Sequence, residues 1–322
     1  MRPFALRLAG YSLLATALLT AAVFFAYIGV RYYKLDSQIY RWMSGEDARD
    51  AQWNRSDRQG GALGLAGYRM DIDARVVPGI DKNLSGLAFD TDHDRLIAVV
   101  NRPATLYTLD RNGEPTGRYP LRHGPDIEGV AYLGNNRVAL LQERKNTLHI
   151  VTLPAQPGPI DMDKSKSLRL DLFPGSNAGF EGVGYDAGRD QLYLVKEHSP
   201  SKLYRIDGLH DADPAAMTLR LTDLSAWIDG SLPATDLSSV EFVPGLDHLL
   251  LLSDESYRLM ELDRDGRPVS YLDLRSTPFP HTRVPQAEGM AIGPDRTIYV
   301  VSEPNLFYRL TPPAVAGNGN AG

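Results

Sequence analysis

The chain has no cysteine among its 322 residues. That excludes disulfide staples, thiolate catalysis and cysteine-ligated zinc, and leaves the chain at ease in an oxidising compartment without requiring one. Positive charge is also in short supply: 34 Lys and Arg face 40 Asp and Glu, for a formal net charge of -6. With no basic stripe to meet phosphates, nucleic acid is not an expected partner. The seven histidines form no H-x-x-x-H pair. There is no EF-hand loop, P-loop, G-x-S-x-G elbow or dinucleotide fingerprint in its proper strand–turn–helix setting. His93 and His248 sit in turn-like contexts and read as surface residues; His198, beside Glu197, is the one histidine placed for acid–base work. What remains is an ordinary globular composition, 43% hydrophobic and 23% charged, long enough for one large core.

Residues 8–30, between Arg7 and Arg31, carry no charge and are rich in Leu, Ala, Phe and Val. At about 1.5 Å per residue the stretch matches a hydrocarbon core of about 30 Å. Tyr27, Tyr32 and Tyr33 stand where an aromatic belt would lie. A cleaved signal peptide is the alternative, but the apolar run is long for one and no small-x-small site follows. Residues 1–34 are therefore expected to be a transmembrane signal-anchor. This puts the chain in the bacterial inner (cell) membrane as a single-pass protein, with the following domain in the periplasm. Residues 35–66 read as a juxtamembrane stalk, helical over 37–53 and then a glycine-rich joint, and 312–322 as a disordered tail.

Between these segments one short pattern recurs: Asn83-Leu-Ser-Gly-Leu87, Asp126-Ile-Glu-Gly-Val130, Gly179-Phe-Glu-Gly-Val183, Asp236-Leu-Ser-Ser-Val240 and Gln286-Ala-Glu-Gly-Met290. The copies are 43, 53, 57 and 50 residues apart, the period of a repeat architecture. In the first unit, residues 84–90, 95–101, 105–110 and 116–121 read as strands, the last two joined at Asp110-Arg-Asn-Gly113, a turn repeated at Asp263-Arg-Asp-Gly266. The second strand recurs at 138–143, 192–197, 249–254 and 298–303, and long helical periodicity is absent. Four antiparallel strands per radial repeat define a β-propeller blade. The last unit lacks a fourth strand, and residues 68–77 before the first unit alternate as a strand, with Met70, Ile72, Ala74 and Val76 on one face. That strand would complete the last blade and close the ring. The expectation is an all-β domain over 67–311, a β-propeller of five blades. A sixth, degenerate blade would have to come from 154–172 or 207–230; an open β-solenoid or a pair of sandwiches is the other architecture.

The first strand of a blade lines the central channel, and the ends of the second strands reach the same mouth. Two sets of polar residues therefore converge there. Glu128, Glu181 and Glu288, with Ser85 and Ser238, start the first strands, preceded by Asn83, Asp126 and Asp236. Asn101, Glu143, Glu197, Asp254 and Glu303 end the second strands. Clustered carboxylates repel one another unless neutralised. Oxygen-only ligands without cysteine point to a hard cation, calcium before magnesium. The other neutraliser is internal pairing with Arg102, Arg144, Lys145, Lys196 or His198.

Several stretches resemble the SdiA-regulated family: Asn83-Leu-Ser-Gly-Leu-Ala-Phe89, Val99-Val-Asn-Arg-Pro103, Asp126-Ile-Glu-Gly-Val-Ala-Tyr132, Gln142-Glu-Arg144, Leu252-Ser-Asp-Glu255, Pro285-Gln-Ala-Glu-Gly289 and Ser302-Glu-Pro-Asn-Leu-Phe-Tyr-Arg309. The resemblance covers about residues 66–311. It implies a membrane-anchored propeller of the bacterial envelope with a channel-mouth cation, and supplies no substrate. Ser238-Ser239 departs from the Glu-Gly of three other repeats. Two functions follow as expectations: a calcium-binding module that presents its acidic mouth to a periplasmic ligand or protein, or a calcium-dependent hydrolase of a lactone or phosphoester, with Glu143, Glu197 or Glu303 as general base. A third leaves the carboxylates as structural ties, with the partner on an outer blade surface.

Overall fold

The structure is a computed structural model that describes residues 16–30, 53–54, 61–124, 126–170, 172, 179–197, 200–209, 219–229, 232, 234–275 and 284–313. Strand β1 (Arg69–Val76) comes first. Blade one is β2 (Leu84–Asp90), β3 (Arg95–Val100), β4 (Thr105–Leu109) and β5 (Pro115–Arg122). Blade two opens with β6 (Ile127–Gly134), β7 (Arg137–Gln142) and β8 (Thr147–Thr152); β9 (Ile160–Asp161) intervenes before its fourth strand, β10 (Lys166–Arg169). Blade three is β11 (Phe180–Asp186), β12 (Gln191–Lys196), β13 (Lys202–Asp207) and β14 (Arg220–Asp223). Blade four is β15 (Ser239–Val243), β16 (His248–Ser253), β17 (Arg258–Leu262) and β18 (Pro268–Asp273). Blade five is β19 (Ala287–Ile292), β20 (Ile298–Ser302) and β21 (Leu306–Thr311), completed by β1.

The described residues thus form five antiparallel sheets, and β1 seals the ring by pairing with β21 from Arg69↔Thr311 to Val76↔Leu306. The stretches considered for a sixth blade supply β10 and β14, the outer strands of blades two and three, while β9 adds to blade one by pairing parallel with β5. The alternation expected along β1 holds only for its first half. Met70 and Ile72 are half-buried, but Ala74 adopts a left-handed φ of 52° and the register slips between Ile72 and Arg75. The slip turns Val76 outward, 58% exposed.

Five buried clusters hold the ring, one at each junction of neighbouring blades. On β3, Leu96, Ala98 and Val100 join the cluster with blade five, and Ile97 and Val99 the cluster with blade two. A strand buried on both faces needs apolar residues at every position, so these second strands read as continuous runs (Leu249-Leu-Leu-Leu252) instead of alternating. The predicted hairpin turns form as expected: Asp110 Oδ1 accepts from the amides of Asn112 (2.8 Å) and Glu114 (2.9 Å), and Asp263 Oδ1 from those of Asp265 (2.9 Å) and Arg267 (2.8 Å). Gly113 and Gly266 take the left-handed φ those turns need.

The segment assigned to the stalk contributes to the propeller. Trp53 is buried between blades three and four, and the Asn54 amide donates to Val269 O (3.0 Å) while its side-chain oxygen accepts from Tyr271 N (3.0 Å). Leu63 and Leu65 are buried between blades four and five. Leu63 N donates to Glu261 Oε1 (2.9 Å) and Leu65 N to Ser270 Oγ (3.2 Å). Glu261 is fully buried, and its second partner is His248, at 2.7 Å. His248 is therefore a core residue, not the surface residue its turn-like setting suggested: an isolated buried carboxylate is costly, and the imidazole satisfies it. Trp53, the last residue of the helix expected over 37–53, sits in a bend; residues 35–52 and 55–60 of the stalk and most of the tail lie outside the described residues. Of the expected anchor, residues 16–30 are helical and residues 8–15 lie outside the described set. Among the described residues no helix is long and apolar enough to cross a membrane.

The innermost strands nearly touch. A Cβ on Gly86 would lie 2.5 Å from Glu128 O, one on Gly129 2.9 Å from Glu181 O, one on Gly182 2.7 Å from Ser239 Cα, and one on Gly289 2.7 Å from Ser85 O. The glycine of these four repeats is there because the next blade's backbone occupies its side-chain space. Gly86→Ala should therefore lower stability by about 1–3 kcal/mol, measured by urea unfolding. Gly61→Ala, with nothing within 4 Å of the added Cβ, should be near neutral; equal effects of the two would refute the packing argument.

Candidate functional site

In four of the five inner strands the register slips just before the repeat's glycine. β2 skips Ser85 between Leu84 and Gly86, β6 skips Glu128, β11 skips Glu181 and β19 skips Glu288. A bulged residue has no ladder partner and its side chain is re-aimed. The following glycine packs on the next blade, so the bulge residue is presented to the axis at the mouth. Blade four differs: its inner strand begins only at Ser239, and before it Ser238 N donates to Leu252 O (3.0 Å) while its hydroxyl donates to Ala287 O of blade five (2.7 Å). The Ser-Ser departure thus exchanges a carboxylate for a hydroxyl tie between blades.

The second set is fastened beside the first. Glu143 N donates to Asp126 O (3.1 Å), Glu303 N to Gln286 O (3.0 Å) and Asn101 N to Asn83 O (3.0 Å). Asn83, Asp126 and Gln286 all take left-handed backbone angles, which turn the chain into the bulge. Asn101 Nδ2 donates to Glu128 Oε1, and Ser85 hydrogen-bonds the same carboxylate.

The nine expected ligands divide by what already satisfies them. Asp126 is neutralised by Arg102 (2.6 Å) and Arg144 (3.5 Å). Asp236 is a buried clamp that accepts from Ser253 Oγ and from the amides of Asp254 (3.0 Å) and Glu255 (3.1 Å). Asp254 Oδ1 accepts from Ala287 N (3.2 Å). The backbone oxygen of Glu197 accepts from Leu237 N (3.1 Å). By contrast, among the described residues no ion pair reaches Glu128, Glu181 or Glu288. Burial raises all three above the ordinary carboxyl range. The other mouth carboxylates raise them further: Glu143 and Glu303 act on Glu128, Glu143 and Glu128 on Glu181, and Asp254 and Glu303 on Glu288. Glu128 is pushed up to about 7, and burial carries Asp236 to about 7 as well. Glu143 and Glu303 are also raised, first by burial. His198 lies outside the described residues.

The donor chemistry of this ring suits a hard cation, since every ligand is oxygen. The spacing is open. Among the described residues only His123, Asp161 and Asp163, on the exposed edge of blade one, bring three ligand atoms within 4.8 Å of one another. No three channel carboxylates do so. The ring offers converging oxygen ligands in an open spacing, in place of a tight cage.

Fold and site together define a five-bladed β-propeller with a carboxylate ring at one mouth of its axial channel. The model of the SdiA-regulated family matches residues 61–311, and the chain belongs to that family. Among solved structures it is similar to a chain of the nidogen/laminin complex (TM-score 0.44, 14% identity, 69% of this chain and 73% of that one covered). It is also similar to a luciferin-regenerating enzyme (0.46, 12%, 74% and 94%) and to Myxococcus xanthus glutaminyl cyclase (0.45, 17%, 75% and 97%).

Each raised carboxyl holds its proton more tightly in the folded chain than in the unfolded one. Its stabilising contribution is complete below the ordinary glutamate value of 4.5 and is lost as pH rises through the folded value, about 7 for Glu128. In chelator-treated protein the melting midpoint should therefore fall, on the order of 5 °C, between about pH 5 and 7.5. Glu128→Gln should flatten that slope. A midpoint that rises over this interval in the parent would contradict the site's electrostatics.

Proposed function

We propose that this protein is a membrane-anchored, extracytoplasmic propeller whose acidic mouth binds a divalent cation, calcium first, and presents it to a ligand or partner protein. The observation that carries this reading is the trio Glu128, Glu181 and Glu288: bulge-aimed at one axis, raised by burial and then by the neighbouring carboxylates, and without an ion pair among the described residues. Evolution of a purely structural ring would pair these acids, as Asp126 is paired, or replace them, as Ser238 does. Ca²⁺ would neutralise the ring through Glu128, Glu181 and Glu288, with Glu143 and Glu303 at its edge. The open spacing suits an ion that keeps part of its water. Calorimetry and thermal melts in millimolar Ca²⁺ test the reading. Ten times Kd should stabilise the fold by about 1.4 kcal/mol, and Glu128→Gln with Glu181→Gln should remove the effect. A midpoint indifferent to Ca²⁺, or variants that respond like the parent, would defeat it.

The hydrolytic alternative draws on Glu143 and Glu303, whose carboxyls burial raises, the direction that makes a carboxylate a better base. A screen of lactones and phosphoesters with the calcium-loaded protein separates the two readings.

The anchor rests on the uncharged run 8–30 and on the helix over 16–30, whose Leu18, Leu19, Val23, Phe24 and Phe25 are all exposed in the isolated chain. Such a helix finds its solvent in lipid. The full chain should fractionate with the inner membrane, facing the periplasm, and a variant lacking residues 1–34 should not. Equal distribution of the two would refute the anchor.

A further inference from the structure

The inner strands run on from the acidic mouth to the other end of the channel, and one residue there breaks the pattern. Three positions beyond each bulge or its equivalent stand Ala88, Ala131, Gly184, Glu241 and Ala291. At about 3.3 Å per residue they lie roughly 10 Å along the strand from the ring already described. Four small residues leave the axis open, and a cavity of about 690 Å³ fills that end, lined by Ala88, Phe89, Ala131, Phe242, Ile292 and Glu241. This is the size range of small-molecule sites, and the cavity sets the apolar patch just named beside a polar rim of Tyr132, Tyr185, Asp186, Arg189 and Asp247.

Glu241 is partly accessible from the cavity and crowded by protein on its other sides, with the next blade so close that a Cβ on Gly184 would lie 3.0 Å from Glu241 Cα. Among the described residues no ion pair or side-chain hydrogen bond reaches its carboxyl; the amide of Phe242 is its one contact. The groups that could have satisfied it are engaged elsewhere. Arg189, the cation on the cavity rim, is held by Asp186 (3.0 Å) and by both oxygens of Asp247 (2.7 and 2.8 Å). The rim hydroxyls of Tyr132 and Tyr185 donate to Asp92 (2.6 Å) and Asp190 (2.8 Å). The cavity therefore has an acid on its wall, surplus negative charge at its rim and no free cation among the described residues. A lone buried carboxyl is destabilising, and four of the five blades do without one at this position, so its presence needs a ligand to explain it.

We propose that this end of the channel is a binding site for a small organic ammonium ion with an apolar body, its charged nitrogen paired with Glu241 and its body against Phe242, Ile292 and Phe89. The surplus negative charge disfavours an anion. Among the described residues Asp186 and Asp247 are already held by Arg189, so a hard divalent ion, which needs six or more oxygens, finds one unengaged carboxyl here. An uncharged apolar ligand would leave the acid unsatisfied. Burial holds the empty carboxyl well above its ordinary pKa, so ammonium binding ionises it and releases a proton. The charged groups facing Glu241 across the cavity are Asp186, Arg189 and Asp247, which form one closed ion-pair set.

The site is separate from the acidic mouth, and the experiment keeps the two apart. The full chain in detergent, with chelator and without Ca²⁺, is titrated with 2-phenylethylammonium and with its uncharged analogue 2-phenylethanol, followed by calorimetry and thermal melt. The amine should bind at least tenfold more tightly than the alcohol, with proton release seen as a buffer-dependent heat. Glu241→Gln should weaken the amine at least tenfold, and Ala131→Leu, which fills the cavity, should do the same. Glu181→Gln should leave amine binding intact. Equal affinity for amine and alcohol, no binding of the amine at millimolar concentration, or loss of the response in Glu181→Gln would each overturn the proposal. Should Glu241→Gln fail to fold, the amine–alcohol comparison on the parent decides.

Discussion

Closing five twisted sheets into a ring brings five backbones almost into contact along one axis, and the rest of the molecule follows from that crowding. There is no room for side chains between neighbouring inner strands, so the contact position is glycine in four blades, with the next strand's carbonyl or Cα where a Cβ would be. The bulge immediately before each of these glycines lets the strand enter the ring without a clash, and it turns one residue per blade out of the ladder toward the axis. The acidic mouth is thus a by-product of closure that the sequence has filled with glutamate. Blade four shows the counter-case: serine in place of the glycine, a strand that starts only at that serine, and a hydroxyl tie instead of an acid.

Electrostatics then divides the channel. At the mouth, acids that hold the chain in shape are satisfied by arginine, hydroxyl or amide, as at Asp126 and Asp236, while the bulge glutamates face one another in a poorly solvated space. Their surplus charge is available to a partner, and its cost in the empty protein is met by protonation. At the far end four blades carry small residues, and Glu241 is the one acid of the cavity that no arginine holds among the described residues. A ring of converging oxygens suits a hard ion; a single carboxyl in an apolar cavity suits a soft, bulky cation. One scaffold offers two chemically different ends because the residue at each strand position is free to vary once closure is satisfied.

The blades were legible in the sequence because each one repeats a local pattern. The second strands are found within a residue of where their apolar runs place them, the Asp-Arg-x-Gly turns form as their residue types require, and the sealing strand pairs where the unfilled edge predicted. The candidate acids were legible for the same reason. Contacts between residues distant in sequence were not. His248 reads as a turn residue until Glu261 is seen buried beside it. Trp53, Leu63 and Leu65 read as linker until the grooves between outer blades receive them. Ala74 breaks the alternation of β1 because the strand must fit an edge built some 230 residues later.

By itself the sequence determined the repeat, the number of strands in each unit, the need for a closing strand and the residue types gathered at the mouth, all of which depend on short-range periodicity and turn chemistry. The tertiary structure decided which acids are satisfied and which are not. Asp126 and Glu128 are two residues apart and chemically alike, yet one is ion-paired with Arg102 and Arg144 and the other is held by two neutral donors beside its fellow carboxylates. It also decided that Glu241, unremarked among the strand residues of blade four, stands on the wall of a cavity. Whether a charge is paired depends on what lies across the axis, and that is set by ring closure and not by neighbours in the chain.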